Sequence, residues 1–317
     1  MERELSVIIC THNRCETLRT ALDSFLGQKD IDYINYELII VDNNSSDDTP
    51  GTVEQFRPVI GDRLKYIWEE RKGISFARNK GIQAASGKII MFTDDDILVD
   101  RCWLRNLYAV FQEKGCDGVG GRVLPIYPDN CPSWVKENAV KLSGSVVIYD
   151  YGDVIRKLDN TMHEFIGANI AFKREMFDEV GMFREDITYV GEDREFIRRL
   201  LKHNKELYYC GKAVIHHPVD LKRLNLRHVA KWNILLGRHS AIREYESQEE
   251  RLVYWFGVPR YLLCGIVFDI IGLLPAVFHK PVLYNRWRAL FRKIGMVQGY
   301  RTKAYREFHR ALGDSKR

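Results

Sequence analysis

From Leu5 to Leu124 the chain alternates short apolar runs with amphipathic stretches. Leu5–Thr11, Tyr36–Val41, Leu64–Trp68, Lys88–Phe92 and Val119–Leu124 read as strands. Between them, Glu16–Leu26 sets Leu18, Ala21, Leu22, Phe25 and Leu26 on one helical face. Ser75–Ala85 reads as a helix capped by Ser75 and closed by Gly87, and Trp103–Phe111 as another. The turn-forming run Asp42–Asp48 predicts a short helix after it. This alternation predicts an α/β fold, a mostly parallel Rossmann-like sheet flanked by helices. Functional residues on such sheets gather at the carboxyl ends of strands, where Thr11, Asp42 and Asp94 fall.

The middle is less regular. Pro125–Trp134, with three prolines, reads as a loop. Gly167–Phe172 reads as a short strand, and Gly191 opens a helix through His203 that buries Phe196, Ile197, Leu200 and Leu201. Leu207–Tyr209 and Ala213–His216 read as two strands, and Arg227–Glu244 as a helix. Tyr261–Phe278 is almost wholly apolar, interrupted by Asp269 and Pro275. That run is borderline for a span, which needs about 20 apolar residues. With basic residues on both sides, it suits an interfacial or re-entrant membrane segment, with a core or partner-facing helix and a true span as the other readings. The division expected is a catalytic domain over 1–220, with a nucleotide-binding half 1–124 and an acceptor half 125–220. A helical C-terminal extension over 221–317 would follow.

Composition changes this picture little, and charge changes it more. The 317 residues are 45% hydrophobic and 29% charged, ordinary for a globular protein. The net charge of +5 is unevenly placed, because Lys280–Arg317 carries 11 Lys/Arg against two Asp/Glu. A mildly acidic body with a basic tail points to an anionic membrane surface and away from nucleic acid. Seven cysteines without a Cys-x-x-Cys, and no secretory signal before the first strand, predict a cytoplasmic protein with reduced thiols.

The chemistry concentrates at Thr93-Asp94-Asp95-Asp96. Three carboxylates at a strand's end repel one another unless a cation sits among them, and hard oxygen ligands suit Mg²⁺ or Mn²⁺. On ligand chemistry alone, a solvated acidic turn is an equal alternative. Asp42 alone reads as a turn or capping residue. Glu192-Asp193 alone reads as acidic residues favouring a helix N-terminus. Trp134 is as good a core residue as a platform for a sugar.

Five segments, in order, then resemble the family-2 glycosyltransferases of GT-A-type fold, bacterial surface-polysaccharide enzymes among them. They are Ser6–Arg14, Ile39–Thr49, Ala77–Gly81, Thr93–Asp96 and Gly191–Asp193, within a resemblance running from Leu5 to about His217. Each is weak alone, and the ordered set is strong. The resemblance implies a donor site of Thr11, Asn13, Arg14, Asp42, Asn44, Arg78, Asp94, Asp95, Gly167, Ala168 and Asn169. It implies a metal, Mn²⁺ or Mg²⁺, on Asp94 and Asp96. A histidine of the His216-His217 pair would join them, with His217 favoured over His216. Asp193 would be the general base of an inverting transfer, and Glu192 would tune it by like-charge repulsion or contact the acceptor.

The expected reaction moves a sugar from a nucleotide sugar, UDP-linked by preference, to a hydroxyl of a glycan or lipid-linked acceptor. The expected location is the inner face of the cell membrane, peripheral or monotopic. Two other readings stand beside it: a nucleotidyltransferase-type enzyme on the same α/β site, and a non-catalytic membrane-associated scaffold that keeps the fold.

Overall fold

The structure is a computed structural model describing residues 3–142, 144–159, 161–187, 190–247 and 253–302, with backbone only over 242–247. The basic tail from 303 onward lies outside the described residues. The chain divides into two compact units, one of Met1–Pro128 with Val147–Val219 and one of Asp129–Val146 with Asp220–Arg317. Residues 129–146 therefore group with the C-terminal unit.

In the first unit the strands are β1 (Leu5–Thr11), β2 (Tyr36–Asp42), β3 (Leu64–Trp68), β4 (Ile89–Asp94), β5 (Leu98–Val99), β6 (Gly118–Ile126), β7 (Ile155–Lys157), β8 (Asn169–Lys173) and β9 (Leu207–Pro218). The unit's helices are α1 (Cys15–Leu26), α2 (Thr49–Ile60), α3 (Ile74–Ala84), α4 (Trp103–Lys114), α6 (Glu175–Glu179) and α7 (Glu192–Lys202). The strands form one sheet in the order β3-β2-β1-β4-β8-β6-β9-β5, with β7 also on β9. From β3 to β4 all pairs are parallel, whereas β8 runs antiparallel between β4 and β6. The α/β expectation holds, and the parallel half is the part the sequence alternation described.

Both faces of this half are covered by helices, so β1 and β2 read as continuous apolar runs. The core joins Ile8, Ile39 and Phe92 to Trp103, Phe172 and Phe196, all at most 1% exposed. Polar groups enter it, Glu37 among them. Glu37 is wholly buried, and it accepts hydrogen bonds from Ser6 Oγ (2.6 Å) and Ser86 N (2.6 Å) while pairing with Lys65 Nζ (2.7 Å).

Two local readings are corrected. Ser75 does not cap α3: Gly73 holds the N-cap position and Ser75 Oγ donates to the Ile187 carbonyl. The two strands expected over 207–216 are one strand, β9, whose register against β6 shifts where Cys210 gives way to Val214. That irregularity looked like a turn in the sequence because Gly211-Lys212 interrupts the apolar run. Gly118 to Gly121 begin β6, in line with the strand expected from Val119, and Phe165 packs so closely there that a Cβ at Gly120 would lie 2.2 Å from its ring.

The second unit holds α5 (Ser133–Glu137), α8 (Leu226–Ser247), a hairpin of β10 (Tyr254–Trp255) and β11 (Val258–Pro259), α9 (Arg260–Ala276) and α10 (Lys280–Tyr300). Helices α8 and α10 pack backbone to backbone. A Cβ on Gly237 would sit 2.1 Å from the Arg292 carbonyl, and one on Gly295 would sit 2.2 Å from the Ile234 carbonyl. Trp287 Nε1 donates to the Leu226 carbonyl at 2.8 Å, tying the two ends. No helix among the described residues is long and apolar enough to cross a membrane.

Candidate active site

Strands β1 and β4 are parallel neighbours, with Cys10 level with Asp94, so their carboxyl ends bring Thr11 beside Asp94–Asp96. Thr11 Oγ1 donates to Asp95 Oδ2 (2.7 Å). Arg14, at the start of α1, spans Asp95 Oδ1 (3.0 Å) and Asp96 Oδ2 (3.1 Å). Burial pushes the Asp95 carboxyl up to about 6, although Arg14 opposes this. Burial and the charge of Asp96 also raise Asp94. A raised carboxylate beside others is a site that gains from added positive charge.

Ligand atoms of Asp94, Asp96 and His217 lie within 4.8 Å of one another. The third member comes from the far end of β9, 121 residues beyond Asp96 in sequence. His217 is 5% exposed, with Nε2 3.5 Å from Asp96 Oδ1 and Nδ1 3.0 Å from the Pro218 carbonyl. A carbonyl only accepts, so this contact sets the proton on Nδ1 and turns the Nε2 lone pair toward Asp96. Two carboxylate oxygens and one imidazole nitrogen form a donor set that fits a divalent cation, and imidazole favours Mn²⁺ over Mg²⁺. His216 alternates to the other side of the strand and pairs with Leu98 of β5.

Arg78 of α3 is 4% exposed. Its Nη1 pairs with Glu192 Oε1 at 2.7 Å, and its Nη2 reaches the Gly167 carbonyl at 3.3 Å and Asp94 Oδ1 at 3.8 Å. The guanidinium also lies over the Phe92 and Phe183 rings, 5.6 and 5.4 Å from their centroids. Asp193, at the start of α7, accepts from Gly167 N through Oδ2 (2.8 Å) and from Arg194 N through Oδ1 (2.7 Å). Thus α3, β4, the segment before β8 and the first turn of α7 meet around one guanidinium.

The other residues of the expected site have protein partners of their own. Asn169 is wholly buried, and its side chain joins three core groups. It accepts from Trp103 Nε1 (2.8 Å) and donates to the Arg122 and Ala213 carbonyls (both 2.9 Å). Ala168, 1% exposed, belongs to the same core. Glu192, 5% exposed, pairs with Arg78 and carries like charge beside Asp193.

Asp42 is closed to solvent, with Oδ1 accepting from Ser45 N (2.8 Å) and Oδ2 from Tyr66 OH (2.7 Å), so its carboxylate organises the turn after β2. Tyr66 and Glu69 went unnoticed in the sequence, because only the pairing of β2 with β3 brings them to Asp42 and Asn43. Asn13 and Asn44 both take the left-handed backbone, φ 53° and 64°. Asn13 Oδ1 accepts from Ser46 N (2.6 Å), and Asn44 Nδ2 donates to the Glu70 carbonyl (2.7 Å). Trp134 stands in the second unit with its ring 5.3 Å from that of Tyr284.

An α/β unit with an acidic cluster at the carboxyl ends of its parallel strands, and an antiparallel strand inserted beside them, is a fold of GT-A type. A mannosyltransferase from Pyrobaculum calidifontis, solved in complex with GDP-Man and Mn²⁺, aligns with a TM-score of 0.60 at 19% identity, covering 96% of this chain and 88% of that one. Residues 1–349 of TarS from S. aureus, in complex with UDP, align with a TM-score of 0.55 at 17% identity, covering 93% and 92%. The family model for glycosyl transferase family 2 matches residues 6–181, more than half of the chain. The chain belongs to that family.

The matched range stops before Glu192, Asp193 and His217. A glucosyl-dolichyl phosphate glucuronosyltransferase of Haloferax volcanii is 29% identical over 181 residues, 56% of this chain and 55% of that protein. The chain spans between 33% and 55% of the length of the first three curated relatives it matches.

Proposed function

We propose that this glycosyltransferase is an inverting enzyme. It takes a sugar from a nucleotide sugar, UDP-linked by preference, and passes it to a hydroxyl of a lipid-linked or polysaccharide acceptor. The observation that carries the reading is the convergence of Asp94, Asp96 and His217 beside Asp193 and Gly167 at one end of the sheet. Residues 1–220 would form the catalytic part and 221–317 its extension.

Asp94, Asp96 and His217 would hold Mn²⁺ or Mg²⁺. When bound, such an ion supplies charge neutralisation for a leaving diphosphate. Arg14 keeps Asp95 and Asp96 oriented, and Thr11 fixes the other oxygen of Asp95. Asp193 takes the acceptor hydroxyl proton as that oxygen attacks the anomeric carbon. The Gly167 amide holds one Asp193 oxygen in place, which also fixes the backbone expected beside the donor sugar. Arg78 secures the carbonyl of the same Gly167, so the base and the pocket wall move together.

UDP is preferred on the motif set, and the solved neighbours carry both UDP and GDP-Man. The dolichyl phosphate substrate in the relative's name supports a lipid-linked acceptor, and with it a peripheral or monotopic place on the inner face of the membrane. The test is calorimetric binding of a nucleotide-sugar panel with and without Mn²⁺, by wild type and Asp96→Ala. Metal-dependent binding of one donor, lost in the variant, is expected. Equal binding by both proteins without metal would overturn the metal assignment, and binding of no donor would overturn the function.

A further inference from the structure

Helix α9 has two very different sides. Its buried positions are Leu262, Asp269 and Ala276, spaced by seven. The opposite side leaves Val267 57%, Phe268 66%, Ile271 62%, Leu274 75% and, just beyond the helix, Phe278 93% exposed. These recur at helical spacing, so they form one continuous apolar stripe. The turn of the hairpin that leads into the helix adds Trp255 at 48% and Phe256 at 89%. Scattered exposed apolar residues are normal, whereas a contiguous aromatic and aliphatic stripe marks a binding surface.

The polar residues say what that surface meets. Asp269 is the one carboxylate between Val253 and Thr302, against seven Lys/Arg. It is 4% exposed and turned inward, paired with Lys293 Nζ and with Arg286 Nη1 at 3.6 Å, both on α10. Arg286 also lies over the Phe268 ring at 5.2 Å. The only negative charge of this stretch is thus neutralised away from the stripe. Arg260 and Lys280 stand exposed at its two ends. A protein partner would have to match a stripe with no hydrogen-bonding group along it. A lipid surface needs no such match, and anionic headgroups complement the flanking cations. The helix has 17 residues with Pro275 inside, short of the roughly 20 that a span requires.

We propose that the outward stripe of α9 and the β10–β11 turn dock onto an anionic lipid surface. The helix lies in the interface, with Phe268, Ile271, Leu274 and Phe278 inserted among the acyl chains. The proposal rests on the membrane-associated reading above and gives it a face. The inserted side chains sit 5–10 Å deep in interfacial helices generally, about the reach of a phenylalanine or leucine from a helix surface. Asp269 stays paired with Lys293 and Arg286 and does not have to be dehydrated alone.

The test is flotation of the full chain with phosphatidylcholine vesicles, with and without phosphatidylglycerol. It uses wild type, Phe268→Ser/Ile271→Ser/Leu274→Ser, and Phe256→Ser/Phe278→Ser. None of these side chains is buried, so thermal melting should be unchanged, and the second variant stands in should the first fail to fold. Wild type should float with the anionic vesicles and less with the neutral ones, and the triple variant should bind about a hundredfold more weakly. Wild type that floats with neither, or variants that float as well as wild type, would overturn the proposal. So would a wild-type dimer that the variants convert to monomer while none of them binds vesicles. Donor binding by the same proteins separates the two readings. Intact donor binding without flotation sinks the docking face alone, and flotation without donor binding sinks the transfer reading alone.

Discussion

Replacing Arg78 by Met should damage both the fold and the site, with a signature that depends on pH. The Arg78 and Glu192 side chains are 5% and 6% exposed and meet at 2.7 Å. Removing one partner of a buried ion pair strands the other charge, at a cost of about 3–5 kcal/mol. That is a third or more of the total stability of a typical domain. Burial pushes the Glu192 carboxyl up to about 7, while Arg78 acts to lower it. Without Arg78 it rises further, with Asp193 and Asp94 adding like charge.

A folded-state pKa above the unfolded value favours the fold at low pH and loses that contribution as pH rises through it. The deficit of Arg78→Met against wild type should therefore be smaller near about pH 5, where Glu192 is protonated in both folded proteins, and larger near about pH 8, where only the wild-type carboxyl has ionised. In Arg78→Met/Glu192→Gln the Glu192 charge is no longer stranded, and about 2 kcal/mol should return. Urea unfolding of wild type, both single variants and the double variant at the two pH values measures this. A deficit equal at both, with no recovery in the double variant, would refute the reasoning. Arg78 would then act through packing on Phe92 and Phe183 alone.

Two further outcomes are expected. Burial would raise the Glu37 carboxyl, but Lys65 and the Ser6 and Ser86 hydrogen bonds outweigh it and hold it down to about 2. Its contribution is therefore full above the unfolded value of about 4.5 and fades as pH falls toward 2. Screening of Lys65, which is 40% exposed, limits that contribution to about 1–2 kcal/mol. The stability gap between wild type and Glu37→Gln, read by urea melts, should shrink from pH 6 to pH 3, and a constant gap would disprove the linkage. Asn169→Ala removes the partner of Trp103 Nε1 and of two buried carbonyls, so it should cost about 3 kcal/mol. A loss of donor affinity at unchanged stability would instead show Asn169 acting at the donor site.

The sequence alone determined the parallel half of the sheet. Strands β1, β2 and β4 are buried on both faces, and the alternation of strands with amphipathic helices leaves a local periodic signal. It also determined that Asp94 and Asp96 stand together, because strand direction puts residues that follow β4 at its carboxyl end. The apolar run of α9 and the charge surplus after it were legible by counting.

Only the tertiary structure decided the rest. Continuity of β9 across Gly211-Lys212 comes from its pairing with β6, and no local pattern records a partner strand. His217 joins the aspartates because the sheet closes a gap of 121 residues. Glu192 stands beside Asp193 in sequence, while its buried partner Arg78 lies 114 residues earlier. The three core groups that hold the Asn169 amide come from α4, β6 and β9. A carboxylate's or an amide's role is set by which charge or hydrogen-bond partner reaches it after burial, and that partner is named by the fold and not by neighbours in the chain.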